Sequence, residues 1–484
     1  MDALSPVVSE VAPRSQPHLK GNMGFLSLFF SVMAYNAPMV VVIGIIPIMV
    51  STGAGLGTPV SFITAGLILA TFAVGFTRMS KIMPKPGGFY SMITAGLGRE
   101  IGLGSGLVAL LGYFCVYAGT FPFGGLVLGE LVHVTLNGPD LPWYVWGTIF
   151  WVASSILGFM KVELSAKVLT IFLFLELVVI VAYDFMVFVS GGANHAGVSA
   201  APLAPAHWLD GSFPLGLLLA LGMYGGFEVT VLFREEVRNP SRIIPRVTYA
   251  VIATAMVIYG LSSLAFINSI GVDQVVEAAT ADPTGSMTQS LQDFGGQVLS
   301  DAANVMVNTS TFAVILAAHN ITARYFFNLS ADGILPRKLS GVHARHGSPH
   351  IASVATSIAG LVLNVIMIFT GVAAIDFYTA MLGITSFVIL GVIFVAGVAV
   401  PVYMHRHGHE HSAWSRYFFP GVSIIGLGAG LILAAVNFPL LVGGSTSLAT
   451  SLMVLIAGLF VLGLVLAMVY RRTRPETYAR IGRQ

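Results

Sequence analysis

The sequence predicts an all-α polytopic membrane protein of about twelve transmembrane helices, and three observations carry that prediction. The first is composition. Of 484 residues, 56% are hydrophobic and only 9% charged, with a mean hydropathy of +0.86. A soluble chain carries about 25% charged residues because its surface must face water; this chain has too few, so lipid is the solvent for its exterior. The second is spacing. Apolar stretches fall near 24–50, 58–77, 103–131, 142–160, 168–190, 213–233, 247–270, 303–325, 350–371, 376–402, 415–436 and 447–470, each close to the roughly 20 residues that a helix needs to cross a hydrocarbon core.

The third is the charge pattern. With the N-terminus inside and the spans alternating, all 23 Lys and Arg fall on inner segments, from Arg14 and Lys20 to the tail arginines 471, 472, 474, 480 and 483. The outer connections hold none, but carry Asp140, Asp210, Asp273, Glu277, Asp282, Asp293 and Asp301. Basic residues on the cytoplasmic side set topology, and a missed helix in mid-chain would scramble the asymmetry. Both termini are therefore expected in the cytoplasm, with the protein in the inner (plasma) membrane.

The segments read in order as follows. Residues 1–22 form a polar tail with Pro13 and Pro17; without a basic start, short apolar core or small-residue cleavage site it is not expected to be a secretory signal. The first span is long and interrupted. It runs through Tyr35-Asn36-Ala37-Pro38, where Pro38 removes an amide donor and disfavours helix at Ala37. Residues 23–190 hold five spans and 211–403 five more. The sixth span, first of that second set, carries Gly222-Met223-Tyr224-Gly225-Gly226-Phe227-Glu228 in its middle. Non-helical backbone at membrane depth is tolerated only where it is buried or lines a cavity. Breaks at matching places in two halves point to a site between them. Residues 404–470 supply two further spans, and 471–484 a basic tail. The connection at about 271–302 has room for one surface helix.

The lone Cys115 lies in an apolar segment and sets no disulfide framework. A net charge of +2 without a basic arm argues against nucleic acid. No motif calls for a cofactor or metal; His405, His407, His409 and His411 read as a solvated loop, and His319 as a helix–helix histidine. No nucleophile–base pair at membrane depth suggests an enzyme.

Three stretches then carry a family likeness. One is Pro86-Gly87-Gly88-Phe89-Tyr90 with Gly96-Leu97-Gly98. The second is Gly226-Phe227-Glu228 with Arg234-Glu235-Glu236, Asn239-Pro240-Ser241-Arg242 and Ile244-Pro245-Arg246. The third is Ala323-Arg324 with Ala331-Asp332-Gly333, Leu335-Pro336 and Pro349. With them the chain resembles the amino acid–polyamine–organocation (APC) superfamily of permeases. The resemblance implies the LeuT-type fold, two inverted repeats of helices 1–5 and 6–10 plus two C-terminal helices. It also implies secondary transport of an amino acid by alternating access, as symport or exchange, with an amine carrier for ethanolamine or a polyamine as the variant. A transporter-like receptor is the remote alternative. Substrate would then sit against Tyr35, Asn36, Ala37, Pro38, Met223, Tyr224, Gly225, Gly226 and Phe227. Freed amides and carbonyls of the half-helices suit a carboxylate and an ammonium. Relatives carry a Gly-rich turn in the first break; here side chains narrow the carboxylate pocket, or Asn36 replaces a backbone donor.

Two glutamates within spans complete the expected site. An ionisable residue in a span is costly and usually functional. Glu176 lies near mid-membrane and Glu228 directly follows the second break; neither has a basic partner at that depth. By the resemblance Glu176 stands where some relatives place a lysine and others bind sodium. A glutamate there can load a proton, ligate sodium, or stay a structural protonated group, with H+ the expected coupling ion. Glu228 is expected to gate, couple or hydrogen-bond the unwound first helix. Ser310 and Thr311 match the hydroxyl ion ligands of sodium-coupled members, or back-bond to their helix. Tyr113 and Tyr117, one turn apart, could face the site but read rather as packing. Glu235, Glu236, Arg242 and Arg246 read as a cytoplasmic gate or a loop network. Oligomeric state and the individual substrate are not legible.

Overall fold

Twelve apolar helices, eleven of them of membrane length, account for most of the described residues. A computed structural model describes residues 22–83, 88–160, 162–208, 210–343, 347–410 and 412–482. We number the helices α1 (Phe25–Thr52), α2 (Gly55–Ile82), α3 (Arg99–His133), α4 (Trp143–Phe159), α5 (Ala166–His195) and α6 (Phe213–Val231). Then follow α7 (Pro240–Ile270), α8 (Gly285–Ala331), α9 (His350–Thr370), α10 (Ala374–His407), α11 (Trp414–Val436) and α12 (Thr446–Thr473). Eleven are long and apolar enough to cross a membrane; α4, at 17 residues, is the short one. Each coincides with an apolar stretch of the sequence. Pro86 and Gly87 of the first family motif lie outside the described residues, as do His411 and residues 1–21.

Lipid explains what the bundle leaves uncovered. Ile425 and Ile432 of α11 and Val454 and Leu455 of α12 are exposed, which water would penalise and hydrocarbon does not. The stretch from the end of α7 to the turn at Gly296 holds two helical pieces instead of one. Val275–Ala281 is followed by a helix from Pro283 that turns at Gly296 (φ +66°) into the crossing segment. Asp282 caps the second piece by accepting from the Gly285 amide.

The packing has an internal regularity. The inner half of α1 packs on α6, α2 on α7, α3 on α8 and α4 on α9. Likewise α3 meets α10 as α8 meets α5, α1 meets α7 as α6 meets α2, and α2 meets α10 as α7 meets α5. Exchanging each helix with the one five places away turns these contacts into one another. α11 covers α2 and α10, and α12 covers α3.

One face of the bundle gathers both chain ends. Met23 exchanges backbone hydrogen bonds with Glu236 (2.9 Å) and Arg238 (3.0 Å) beyond α6. A short helix, Pro475–Arg480, follows α12. From it Tyr478 donates to Glu100 Oε1 (2.7 Å), and the Gly482 amide donates to Asp332 Oδ2 (2.8 Å).

Candidate functional site

Two broken helices meet at the centre of the bundle. α1 is regular from Phe25 to Met33, tightens into a 3-10 turn over Ala34–Asn36 and reverses sign at Ala37, whose φ is +45°. Pro38 then opens the next helical piece, where its missing N–H is harmless. A wide π turn over Val41–Ile45 follows. α6 runs regularly from Phe213 to Gly222, unwinds through Met223–Gly226, and resumes as a 3-10 turn over Phe227–Val231.

Glycine is required where the breaks touch. Gly226 has φ +111°, and a Cβ there would stand 3.0 Å from Tyr35 Cδ1, 3.1 Å from the Val32 carbonyl oxygen and 3.2 Å from Asn36 Oδ1. The Gly226 amide is taken by Glu228 Oε2 at 2.7 Å, and Glu228 Oε1 accepts from the Tyr113 hydroxyl at 2.7 Å. Glu228 therefore braces its own break and ties it to α3, rather than reaching unwound α1. Tyr113 does more than pack: it stands edge-on to Tyr35 with ring centres 5.8 Å apart and lies 5.2 Å from Tyr325.

A cavity of about 100 Å³ opens beside these breaks, far above the roughly 15 Å³ that one water needs. Tyr35, Asn36 and Ala37 of α1 line it together with Met223 and Gly225 of α6. Pro38, Tyr224, Gly226 and Phe227 do not form its wall. Tyr224 instead donates to the Phe62 carbonyl oxygen (2.6 Å), and Phe227 packs on Phe72 and Phe76. The remaining wall comes from further residues of α1 and α6, from Leu69 of α2, and from α3, α8 and α10, including Thr120, Thr311, Thr385 and Ser386. Eleven of the 23 lining residues are Val, Ile or Leu, and none is acidic or basic. The aromatic pair Phe123 and Tyr378, stacked at 4.4 Å, stands in the wall on α3 and α10.

Glu176 lies behind this cavity, at the meeting of α5, α1 and α8. Its carboxyl is 1% exposed and stands beside the Ser310 hydroxyl and the Met39 amide, closing a hydrogen bond to neither. Ser310 Oγ is likewise buried without a partner. Thr311 back-bonds to the Val307 carbonyl oxygen at 2.7 Å while facing the cavity. Tyr259 of α7 reaches the α1 break, donating to the Asn36 carbonyl oxygen (3.3 Å). Asn36 Oδ1 and the Tyr35 hydroxyl are buried and unpaired. Such groups at the break are costly to leave unmade, and Tyr35 and Asn36 both line the cavity.

Below the breaks the structure is closed. Arg324 of α8 donates to Glu236 Oε1 (2.8 Å) and Oε2 (2.6 Å), to the Asn320 carbonyl oxygen (2.7 Å), and lies 4.3 Å over the Phe233 ring. Both partners of this ion pair are buried. Glu236 stood out in the sequence among the charges that follow the sixth span, but its partner 88 residues away did not. Between this pair and the break lies a space for about one water, near Ser31, Tyr35 and Asn320.

One buried acid escaped the sequence reading. Asp184 on α5 accepts from the Ser262 hydroxyl of α7 (2.9 Å) through Oδ2, while Oδ1 has no partner. The signal was present as an aspartate within the apolar run Val181-Ala182-Tyr183-Asp184-Phe185. His319 bonds through Nε2 to Ser353 and Ser357 on α9. Among the described residues no group of three His, Cys, Asp or Glu is placed to hold a metal.

Comparison with known proteins agrees with this architecture. A family model described as amino acid permease matches residues 30–479. The branched-chain amino acid permease BcaP of Bacillus subtilis is 22% identical over 332 residues, 63% of this chain and 67% of that protein. BcaP of Lactococcus lactis subsp. cremoris is 24% identical over 313 residues, 60% of this chain and 65% of the relative. The methylthioribose transporter of Bacillus subtilis is 23% identical over 398 residues, 78% and 80% of the two chains. The chain thus spans about two thirds of the length of the branched-chain relatives. It is a multi-pass membrane protein, and it belongs to the amino acid permease family.

Proposed function

We propose that this protein is a secondary active transporter that carries a neutral, apolar α-amino acid across the cytoplasmic membrane by alternating access, coupled to protons through Glu176. The carrying observation is the cavity: it adjoins two broken helices, its wall is rich in Val, Ile and Leu, and no charged side chain lines it. An amino acid's side chain would pack on that wall. Its charged ends would be met by the backbone groups freed at the breaks, with Asn36 and Tyr35 supplying side-chain partners. The names of the two branched-chain relatives point the same way. A diamine or polyamine would need acidic groups in the wall, so the amine-carrier reading is the weaker one.

The architecture proposed is the LeuT-type one, with 23–190 and 211–403 as inverted repeats; the five-place regularity of the packing supports it. Arg324–Glu236 and the Met23 bridge would be the inner gate, on a cytoplasmic face that carries both termini and the basic residues. Glu176 is proposed as the proton carrier because it is a buried carboxyl without a cation at the hinge of α1, where loading a proton would change how α1 packs.

The test is competition. Purified protein in liposomes is assayed for tritiated leucine uptake against excess isoleucine, valine, lysine, glutamate, ethanolamine or spermidine. Isoleucine and valine should suppress uptake while lysine and spermidine leave it intact. Suppression by ethanolamine or spermidine as strong as by isoleucine would replace the amino acid reading with the amine one.

A further inference from the structure

We propose that Asp184 is the outer station of a proton relay that feeds Glu176. The proposal rests on the proton-coupled reading above and names the route by which the proton arrives. Glu176 and Asp184 sit eight residues apart on α5, so they share one face and are separated by about 12 Å along the axis. Both are buried. Between them Ile180 fills the α5 face, so a direct path along α5 is apolar.

The polar path runs along α7. Ser262 donates to Asp184 Oδ2 at 2.9 Å. Tyr259 lies one turn further towards the membrane centre on the same face of α7, at the i, i+3 spacing that makes helical neighbours. Its hydroxyl reaches the Asn36 carbonyl oxygen at the α1 break, and α5, which carries Glu176, packs against that same break. On the outer side of Asp184, the hydroxyls of Tyr183, Ser269 and Ser290 form a connected trio, with Tyr183 to Ser290 at 2.7 Å and Ser290 to Ser269 at 2.6 Å. Hydroxyls and carboxyls thus lie at intervals from the outer connection to the hinge, hydrogen-bonded within the trio, from Ser262 to Asp184 and from Tyr259 to the α1 break.

The charges around this line favour a proton. The outer connection offers only acids near its surface, with Glu277 and Asp293 exposed. The facing outer parts of α1, α7 and α8 contain no Lys, Arg or His; their titratable groups are Tyr259, Asp293 and Asp301, while α5 itself carries Tyr183 beside Asp184 and the exposed His195 at its outer end. No fixed cation therefore neutralises Asp184. In the relay, a proton leaves external water and binds the unpaired Asp184 Oδ1. Asp184 then yields a proton through Ser262 and Tyr259 to the Glu176 carboxylate. Asp184 returns to the carboxylate form, the hydroxyls are restored, and Glu176 becomes the neutral acid.

The experiment compares two modes in liposomes with tritiated leucine: uptake driven by an inward proton gradient, and exchange at equal pH on both sides. The variants are Asp184→Asn, Asp184→Glu, Ser262→Ala and Glu176→Gln. For Asp184→Asn the ratio of driven uptake to exchange should fall about tenfold, with Ser262→Ala intermediate and Asp184→Glu partly restored. A purely structural Asp184 would lower both modes together, leaving the ratio at the wild-type value in Asp184→Asn and Ser262→Ala, and this result overturns the relay. If Glu176→Gln accumulates leucine as well as wild type, the proton-carrier reading fails and the relay falls with it. Loss of accumulation in Glu176→Gln with a wild-type ratio in Asp184→Asn removes the relay alone.

Discussion

Gly226→Ala tests whether the two helix breaks are held in one geometry by contact between their backbones. The native φ of +111° is a conformation that L side chains rarely adopt, and holding alanine there costs about 2 kcal/mol. Its Cβ would also press on Tyr35, on the Val32 carbonyl and on Asn36 at 3.0–3.2 Å. The two nearest, a ring carbon and a backbone carbonyl, are not free ends of a flexible chain, so crowding adds about 1 kcal/mol. Relief of this total of about 3 kcal/mol requires the α6 break to move away from α1. Two of the residues displaced, Tyr35 and Asn36, line the cavity, so leucine affinity should fall about 100-fold, the equivalent of roughly 2.7 kcal/mol. The assay is scintillation-proximity binding of tritiated leucine, with thermal unfolding in detergent measured in parallel. Gly225→Ala is the control: its φ is not positive, and its nearest neighbour would be Tyr35 Cε1 at 3.3 Å. It should lose less than tenfold. Wild-type affinity and midpoint in Gly226→Ala would refute the argument that the breaks are locked by close approach.

Two further outcomes concern the face that carries Met23 and Gly482. Arg324→Met removes the buried cation that pairs with Glu236 at 2.6 Å and should destabilise the protein by about 3–5 kcal/mol; adding Glu236→Leu should recover much of that while raising the access of a thiol reagent to a cysteine placed at Ser31, read by thermal unfolding and thiol labelling. Burial pushes the Asp332 carboxyl up to about 7 from its ordinary 3.8, against the Tyr90 and Gly482 donors that favour its ionised form. The folded protein then holds this proton more tightly than the unfolded chain, so its stabilising effect is full below about pH 4 and is lost as pH rises to about 7. Asp332→Asn should remove that part of the pH dependence of the unfolding midpoint, and an unchanged slope between those values would contradict it.

The sequence made the helices legible because a membrane span is a local property: each needs only an apolar run of sufficient length. The breaks were legible for the same reason, since Pro38 and the glycines at 222, 225 and 226 act on their own backbone. Their consequences across the bundle were less so. Tyr224 looked like a wall of the site by its place in the break, yet its hydroxyl reaches Phe62 on α2. Thr385 and Ser386 on α10 enter the cavity wall from a helix that nothing in the sequence marks. The Arg324–Glu236 pair joins residues far apart in the chain, and docking of Tyr478 and Gly482 joins the chain's end to Glu100 and Asp332. Such pairings depend on packing, which composition and periodicity do not encode. Asp184 differs, because the cost of an acid in an apolar run is itself a local signal.

The central claim is that Glu176 carries the proton that drives accumulation. The direct measurement is tritiated leucine uptake into proteoliposomes with and without an inward proton gradient, for wild type and Glu176→Gln. The account predicts gradient-driven accumulation in wild type that disappears in Glu176→Gln while leucine binding survives. Equal accumulation in both proteins, or equal non-accumulating exchange in both, would contradict it.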